Sequence, residues 1–352
     1  MRIGLYGLPT AGKTFVLNDV LNFEVLSGSS LLNELAPDFQ NLSESEKNDA
    51  RVLLASTLKQ KDNFIMDGHY SFGDNIVFTD SDGQLYDAII YLYVDPNILT
   101  KRMEDSARNR KYLKYDIEKW QRSEVESLRA YCHENNKDFY VVDNPEKGYF
   151  ADTSLIVEFI NSIACGFSCV KYAKGIASEI SKSKTISLID GDRTFINEDS
   201  CALIGYKTHI FDGNYYTGFQ SWRHHRILTD YLKYIDYAPD TIDELDLTIN
   251  EDIQKRIVGL PVILTTGNRS VWKQIADKYN TRLYCGDQMS SDTKFFVTKF
   301  VQEQASKVVA FGDSMNDYYM LKQADTGFLV MKKGGVLSKS LIGRDLEGLV
   351  FV

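Results

Sequence analysis

Two short segments, one in each half of the chain, constrain the fold more than any other feature. Each is an apolar strand that runs straight into a loop suited to hold phosphate. The first is Ile3–Tyr6, leading into Gly7-Leu8-Pro9-Thr10-Ala11-Gly12-Lys13-Thr14. The second is Thr185–Ile189, leading into Asp190-Gly191-Asp192-Arg193-Thr194 and answered much later by Gly312-Asp313-Ser314-Met315-Asn316-Asp317. Strands of this kind sit inside parallel sheets covered by helices on both faces, with ligands at their carboxyl ends. Two such signatures imply two such sheets.

A length of 352 residues leaves room for two domains, each able to bury its own core. A hydrophobic share of 43% and a charged share of 25% are those of an ordinary globular protein. The 49 acidic and 40 basic residues give a net charge of −9, which argues against a broad, sequence-blind nucleic-acid surface while leaving room for a local basic cleft. Cys132, Cys165, Cys169, Cys201 and Cys285 form neither a disulfide framework nor a complete zinc pattern, so reduced thiols in a cytoplasmic protein are expected. Met1–Tyr6 runs directly into the phosphate loop and does not read as a leader. No apolar run approaches the ~20 residues that a membrane span needs.

Further strands are expected at Asn63–Asp67, Ala88–Val94 and Asp138–Asp143, alternating with helices at Lys13–Leu21, Glu44–Lys61, Asn97–Arg108 and Asp116–Asn135. Residues from Asp152 to Ser183 read as helical. In the second half, strands are expected at Thr185–Asp190, Pro261–Thr266 and Lys307–Asp313. The fold class is therefore α/β, with two doubly wound parallel-sheet domains. The first domain is expected over 1–165, a linker over 166–184 and the second domain over 185–352. About 70 residues separate the first two strands of the second half. That is too long for a simple crossover and implies a helical cap over about 199–258.

The loop Gly7–Thr14 fits the pattern Gly, four residues, Gly-Lys-Ser/Thr. Its glycines let backbone N–H groups from Gly7, Pro9's neighbours, Thr10, Ala11 and Gly12 face a phosphate, while Lys13 neutralises the β and γ phosphates and the Thr14 hydroxyl holds Mg²⁺. This half resembles the nucleoside-monophosphate-kinase-like branch of the P-loop proteins. The resemblance implies ATP or GTP as donor and Mg²⁺ as cofactor. Asp67 then either helps to organise the metal or caps a turn. Arg102, Arg108 and Arg110 form either a lid over the phosphates or a solvated basic face. Asp143-Asn144 falls where the family places part of its adenine pocket. His69, in Asp67-Gly68-His69-Tyr70, either orients an acceptor hydroxyl or fills space. Residues 22 to 60 should hold the acceptor site and carry no decisive motif.

Asp190-Gly191-Asp192 after its strand resembles the first motif of the haloacid dehalogenase superfamily, and the other motifs follow in order. The resemblance makes Asp190 a nucleophile that forms an aspartyl-phosphate and Asp192 a general acid/base. Thr266, in preference to Thr265, hydrogen-bonds the phosphoryl group. Lys294, 19 residues before Asp313, supplies the balancing cation, with Lys299 as second choice. Asp190, Asp192, Asp313, Asn316 and Asp317 are the expected Mg²⁺ ligands. Arg193 departs from the small residue common at that place, and either contacts substrate or points outward.

The inserted segment is placed like the helical cap of phosphoserine-phosphatase-like members. Its Tyr215, Tyr216, Phe219, Trp222 and Arg223 either build an aromatic cap core or meet a substrate, Tyr216, Trp222 and Arg223 being the substrate candidates. The domain order resembles the polynucleotide kinase–phosphatases. The expectation is a bifunctional enzyme acting on phosphorylated small molecules, nucleotides or nucleic-acid ends. The alternative is a phosphatase governed by a P-loop module that binds nucleotide without transferring phosphate.

Overall fold

The computed structural model describes residues 1–235, 245–332 and 334–352. The chain divides into two compact units, Met1–Phe167 and Ser168–Val352.

In the first unit, β1 (Arg2–Tyr6) enters the phosphate loop, which passes into α1 (Lys13–Leu17). That helix is one turn shorter than the sequence implies, because the polar Asn18 and Asp19 close it in a turn. There follow β2 (Glu24–Ser27), α2 (Gly28–Leu35), α3 (Glu44–Leu58), β3 (Phe64–Asp67), the hairpin strands β4 (Ser71–Phe72) and β5 (Asn75–Ile76), α4 (Asp80–Leu85), β6 (Ala88–Leu92), α5 (Pro96–Glu104), α6 (Ile117–Glu134), β7 (Asp138–Val142) and α7 (Ser154–Ala164). The sheet order is β2-β3-β1-β6-β7 and every pairing is parallel. The register pairs Leu5 with Asp67, which brings the end of β3 beside the start of the phosphate loop. Every residue of β6 and β7 is buried, as strands covered on both faces must be. The edge strand β2, largely exposed, lacks the apolar run that marks the others.

The second unit opens with α8 (Cys169–Ile180), in the stretch that the sequence assigns to a linker. Its apolar face, Val170, Ala173, Ile176, Ala177 and Ile180, joins the core, so it is an integral layer of this unit. Then come β8 (Thr185–Asp190), α9 (Ser200–Leu203), α10 (Gly218–Tyr234), α11 (Glu251–Gln254), β9 (Leu260–Thr265), α12 (Arg269–Lys278), β10 (Arg282–Cys285), α13 (Ser291–Glu303), β11 (Lys307–Gly312), α14 (Met315–Gln323), β12 (Thr326–Leu329) and β13 (Val350–Phe351). The parallel sheet runs β10-β9-β8-β11-β12-β13. The chain leaves β8 toward β9 on one side and reaches β11 on the other, so the strand order reverses beside β8. This is the place where α/β sheets open a crevice.

One core layer lies between the sheet and α8, α13 and α14, with Phe296, Val297, Phe300 and Val301 of α13 at its centre. The other packs Trp272 and Ile275 of α12 on Ile189, Ile263 and Phe311. Each such side chain contributes ~1.5–3 kcal/mol by its burial. The expected cap over 199–258 is only partly a separate element. Cys201, Tyr206 and Leu228 form a small cluster of their own, whereas Ile253, Leu247 and Ile249 pack on the sheet core. Residues 236–244 of that segment lie outside the described residues. No single helix among the described residues is long and apolar enough to cross a membrane. All five cysteines are free thiols.

Candidate functional site

At the end of β1 the chain turns through Gly7 (φ 149°), Thr10 (φ 68°) and Gly12 (φ 99°), a sequence of positive φ values that curls the backbone into a cradle. Lys13 folds back over it and donates from Nζ to the Gly7 carbonyl at 2.7 Å, with Asp67 Oδ1 at 3.7 Å. Lys13 is almost fully buried, and burial lowers its pKa against the pull of Asp67 and Glu124. Burial likewise raises that of Asp67. Thr14 follows on the exposed first turn of α1.

His69 stands 3.5 Å from the Lys13 ammonium and lies against Phe72 at a ring separation of 4.7 Å. Burial, then the Lys13 charge, holds its pKa well below the usual value, so the ring is neutral. Behind it, Glu124 accepts from the Ser71 backbone and hydroxyl, Trp120 Nε1 and Tyr91 hydroxyl. Glu124 lies on a helix that reads as a plain amphipathic surface, and no local signal marks it. Of the three arginines, Arg102 reaches the phosphate loop, donating from Nη1 to the Thr10 carbonyl at 3.3 Å, and lies over the Tyr149 ring. Arg108 is exposed but close enough for its charge to act on His69. Arg110 instead donates to the Glu104 carbonyl and ties down its own short turn. Asp143 and Asn144 are buried beyond β7, with the Asn144 amide donating to the Tyr149 carbonyl.

In the second unit β8 delivers Asp190, β9 delivers Thr265 and Thr266, and β11 delivers Gly312 and Asp313 to one end of the sheet. Lys294, on the first turn of α13, is completely buried. Its Nζ donates to Asp190 Oδ1 at 2.5 Å and to Asp317 Oδ1 at 2.7 Å. Burial alone would lower the Lys294 pKa, but the two carboxylates override it and hold the ammonium above its usual value. Lys299 lies one turn further along α13, outside this pair of contacts. Ser314 and Asp317 form a capping box on α14, and Asp317 Oδ2 accepts from the backbone of Asp313 and Ser314 and from the Ser314 hydroxyl. No side chain other than hydrogen fits at Gly312, where a Cβ would stand 2.2 Å from that of Asp317.

Asp190, Asp313 and Asp317 can each present a carboxylate oxygen within 4.8 Å of the others. Burial and the neighbouring Asp317 charge push Asp190 up to about 7, despite Lys294, and raise Asp313 well above the carboxylate range. A cluster of this kind suits a hard divalent cation, which relieves the mutual repulsion. Asn316 Oδ1 is buried nearby without a hydrogen-bond partner among the described residues. Both Asp317 oxygens are already committed, which leaves Asp190, Asp313 and Asn316 as the side chains with donor capacity to spare.

Asp192, grouped by the sequence with the metal ligands, stands elsewhere. It accepts from the Ser200 backbone and hydroxyl at 3.0 Å each and from Trp272 Nε1 at 3.0 Å. Its carboxylate is therefore held apart from the acidic trio. Burial, then the Asp199 charge, pushes it up to about 6 against these hydrogen bonds. Ser200 and Trp272 lie 8 and 80 residues away, and nothing in the sequence marks them as its partners.

These groups open on a cavity of about 710 Å³, walled among others by Asp190, Asp192, Arg193, Thr266 and Tyr216. Thr265 and Thr266 both line the cavity, Thr265 being buried and accepting from the Gly267 backbone. Arg193, at φ 60°, pairs with Asp199 at 2.6 Å on the cavity wall. Tyr216 stacks on Phe211 at 5.5 Å. Trp222 is buried against Phe219 and beneath Arg226, and neither it nor Arg223 lines the cavity. His224, which the sequence gives no reason to choose, does line it. Burial holds its ring at a pKa of about 4.

Residues 6–120 match the family model of an AAA domain, and residues 294–335 match that of a haloacid dehalogenase-like hydrolase. The N-terminal segment is thus similar to the AAA-domain family and the C-terminal segment to the haloacid dehalogenase-like hydrolases. Among solved structures it is similar to a shikimate kinase from Acinetobacter baumannii in complex with shikimate, at 16% identity over 47% of this chain and 93% of that one, with a TM-score of 0.35. A shikimate kinase from Bacteroides thetaiotaomicron matches at 16% identity over 47% of this chain and 98% of that one, with a TM-score of 0.34. No curated protein sequence matches the chain.

Proposed function

We propose that the C-terminal domain is a Mg²⁺-dependent phosphomonoester hydrolase and that the N-terminal domain transfers phosphate from ATP or GTP, making the chain bifunctional. The observation that carries the hydrolase reading is the Lys294 bridge between Asp190 and Asp317 at the end of three adjacent strands.

Asp190, oriented by Lys294, attacks phosphorus through its free oxygen. The bond to the leaving oxygen breaks, and Asp192, protonated below about pH 6, gives that oxygen its proton. The product alcohol departs and an aspartyl-phosphate remains. A water then attacks phosphorus while Asp192 takes one of its protons. The Asp190 oxygen–phosphorus bond breaks, and both carboxylates return to their starting state. Thr266 donates to a phosphoryl oxygen, and Lys294 balances the charge that builds there. Asp190, Asp313 and Asn316 are the residues that would hold Mg²⁺, which supplies positive charge to the transferring phosphoryl group.

In the N-terminal domain, support comes from the curled Gly7–Gly12 backbone, the Lys13–Asp67 pair and the reach of Arg102 to the loop. Lys13 and Arg102 would grip the transferring phosphate, with Thr14 and Asp67 beside the metal and His69, neutral, facing the acceptor.

The test is a phosphatase screen over nucleotides, sugar phosphates, phosphoserine and 3′-phosphorylated oligonucleotides, paired with ATP consumption over a panel of acceptors. Loss of hydrolysis in Asp190→Asn supports the hydrolase, and retained hydrolysis overturns it. If Lys13→Ala changes phosphatase rates while no acceptor is ever phosphorylated, the P-loop domain is a regulatory module instead.

A further inference from the structure

Glu124 is the one carboxylate on the buried face of α6, and it is 2% exposed. Ser71 meets it twice, donating to Oε1 from its backbone N–H at 3.0 Å and from its hydroxyl at 2.7 Å. Trp120 Nε1 closes the ring of contacts, donating to the same Oε1 at 3.0 Å and to the Ser71 hydroxyl oxygen at 2.7 Å. Tyr91 donates its hydroxyl to Oε2 at 2.9 Å. Every one of these bonds reaches Glu124 from a donor, so the side chain serves only as an acceptor, the role of a carboxylate. Taking that charge out of water is costly, and an apolar side chain of similar size would fill the space without that cost. A fully partnered carboxylate here points to a task beyond packing.

The task is read from where the bonds lead. In the sheet, β1 lies between β3 and β6. Tyr91, on β6, is paired in register with Tyr6, the residue before the phosphate loop. Ser71 lies on the segment that leaves β3. Glu124 thus braces the exit of β3 against β6, across the strand that feeds the loop. The donor side needs no such brace. Asp67 is held in the sheet opposite Leu5, and the Gly68 N–H donates to the Leu5 carbonyl at 2.9 Å. Past Gly68 the chain leaves the sheet. His69 follows at once, 3.5 Å from the Lys13 ammonium, and Ser71 comes two residues later. The Glu124 charge also reaches Lys13, where with that of Asp67 it opposes the loss of the proton that burial promotes.

We infer that Glu124 is a positioning residue of the first site: by holding Ser71 against Tyr91 it fixes His69 beside Lys13, on the side where the acceptor enters. The inference rests on the phosphate-transfer reading of this domain. It gives the two halves of the site different supports, the donor half the sheet and the acceptor half α6.

The test uses the full chain, the variants Glu124→Leu, Glu124→Gln and Ser71→Ala, and whichever acceptor is phosphorylated in a panel of nucleosides, nucleoside monophosphates, sugars and 5′-hydroxyl oligonucleotides. Glu124→Leu should lower kcat/KM for that acceptor by ~10- to 10²-fold, while ATP affinity by calorimetry stays within about 3-fold. Glu124→Gln keeps an oxygen for Ser71 and Trp120, and its amide N–H can donate to a Tyr91 hydroxyl that has turned round, so it should restore most of the loss. Added to His69→Gln, Glu124→Leu should cost less than about 2-fold more, because it acts through that ring. An equal fall in ATP affinity, no rescue by the glutamine, or full additivity with His69→Gln overturns the proposal. If Glu124→Leu does not fold, Ser71→Ala, which loses only the hydroxyl bonds, must show the same acceptor-side loss at smaller size, and unchanged turnover overturns it. If the unaltered protein phosphorylates no acceptor, the transfer reading has failed. Hydrogen exchange then decides the inference by itself. In Glu124→Leu and Ser71→Ala, faster exchange confined to residues 68–72 upholds it, and exchange unchanged there, or raised equally across the first unit, overturns it.

Discussion

Lys294 places one ammonium between two carboxylates, one at the end of β8 and one on the first turn of α14, 2.5 Å from Asp190 and 2.7 Å from Asp317, with no exposure to solvent. Removing the cation leaves both acids buried without their counter-ion. Lys294→Met should therefore destabilise the second unit by ~3–5 kcal/mol and lower p-nitrophenyl phosphate hydrolysis by ~10³-fold or more. Urea unfolding and initial rates check the two effects. A folded variant with near-normal turnover would remove Lys294 from the mechanism.

Asp192 sits at about 6 in the fold, against an ordinary 3.8. A carboxyl raised by folding contributes stability that is complete below the unfolded value and is lost as pH climbs through the folded one. Above about pH 6 the cost is fixed at ~3 kcal/mol, from 1.36 kcal/mol per unit. Asp192→Asn removes the titration and should be the more stable protein at pH 8, with the gap closing toward pH 4, while losing phosphatase activity. Denaturant melts across that range in the presence of a chelator measure it.

Trp272 donates its indole N–H to Asp192 and so favours the charged carboxylate. Trp272→Phe should move the Asp192 limb of the kcat/KM profile to higher pH by a fraction of a unit to about one unit. A pH–rate profile that falls in amplitude without moving would make Trp272 a packing residue only.

Lys13→Ala deletes the cation over the phosphate loop. ATP binding by the full chain should weaken by ~10²-fold or more, and any acceptor phosphorylation should vanish. Because Lys13 belongs to the first unit, Asp190-dependent hydrolysis should persist in this variant. Nucleotide titration followed by calorimetry reads the first effect directly.

The residues gathered at the two candidate sites were legible where each sits at the end of an apolar strand. Asp190, Asp313, Gly7 and Asp67 all announce themselves in that way, and Lys294 and Thr266 follow from spacing to those motifs. The edge strands β2, β10 and β13, and β12 beside the last of them, were not legible, since short, half-exposed segments carry no continuous apolar run. Helix α8 reads as a linker only until its buried face is matched to α13. The separation of Asp192 from the acidic trio depends on Ser200 and Trp272, contacts that exist only after the sheet has formed. Trp222 reads as a substrate residue because aromatic clusters look alike in sequence, whether they face a cavity or fill a core.

Asp317 caps the helix that follows β11 with one carboxylate oxygen and grips Lys294 with the other. Helix closure and nucleophile alignment are thus a single event. A chain that is still assembling this end of the sheet, or that has begun to lose it, has no oriented Asp190 to offer. On the proposed hydrolase reading, turnover would then accompany only the finished fold and double as a readout of its integrity.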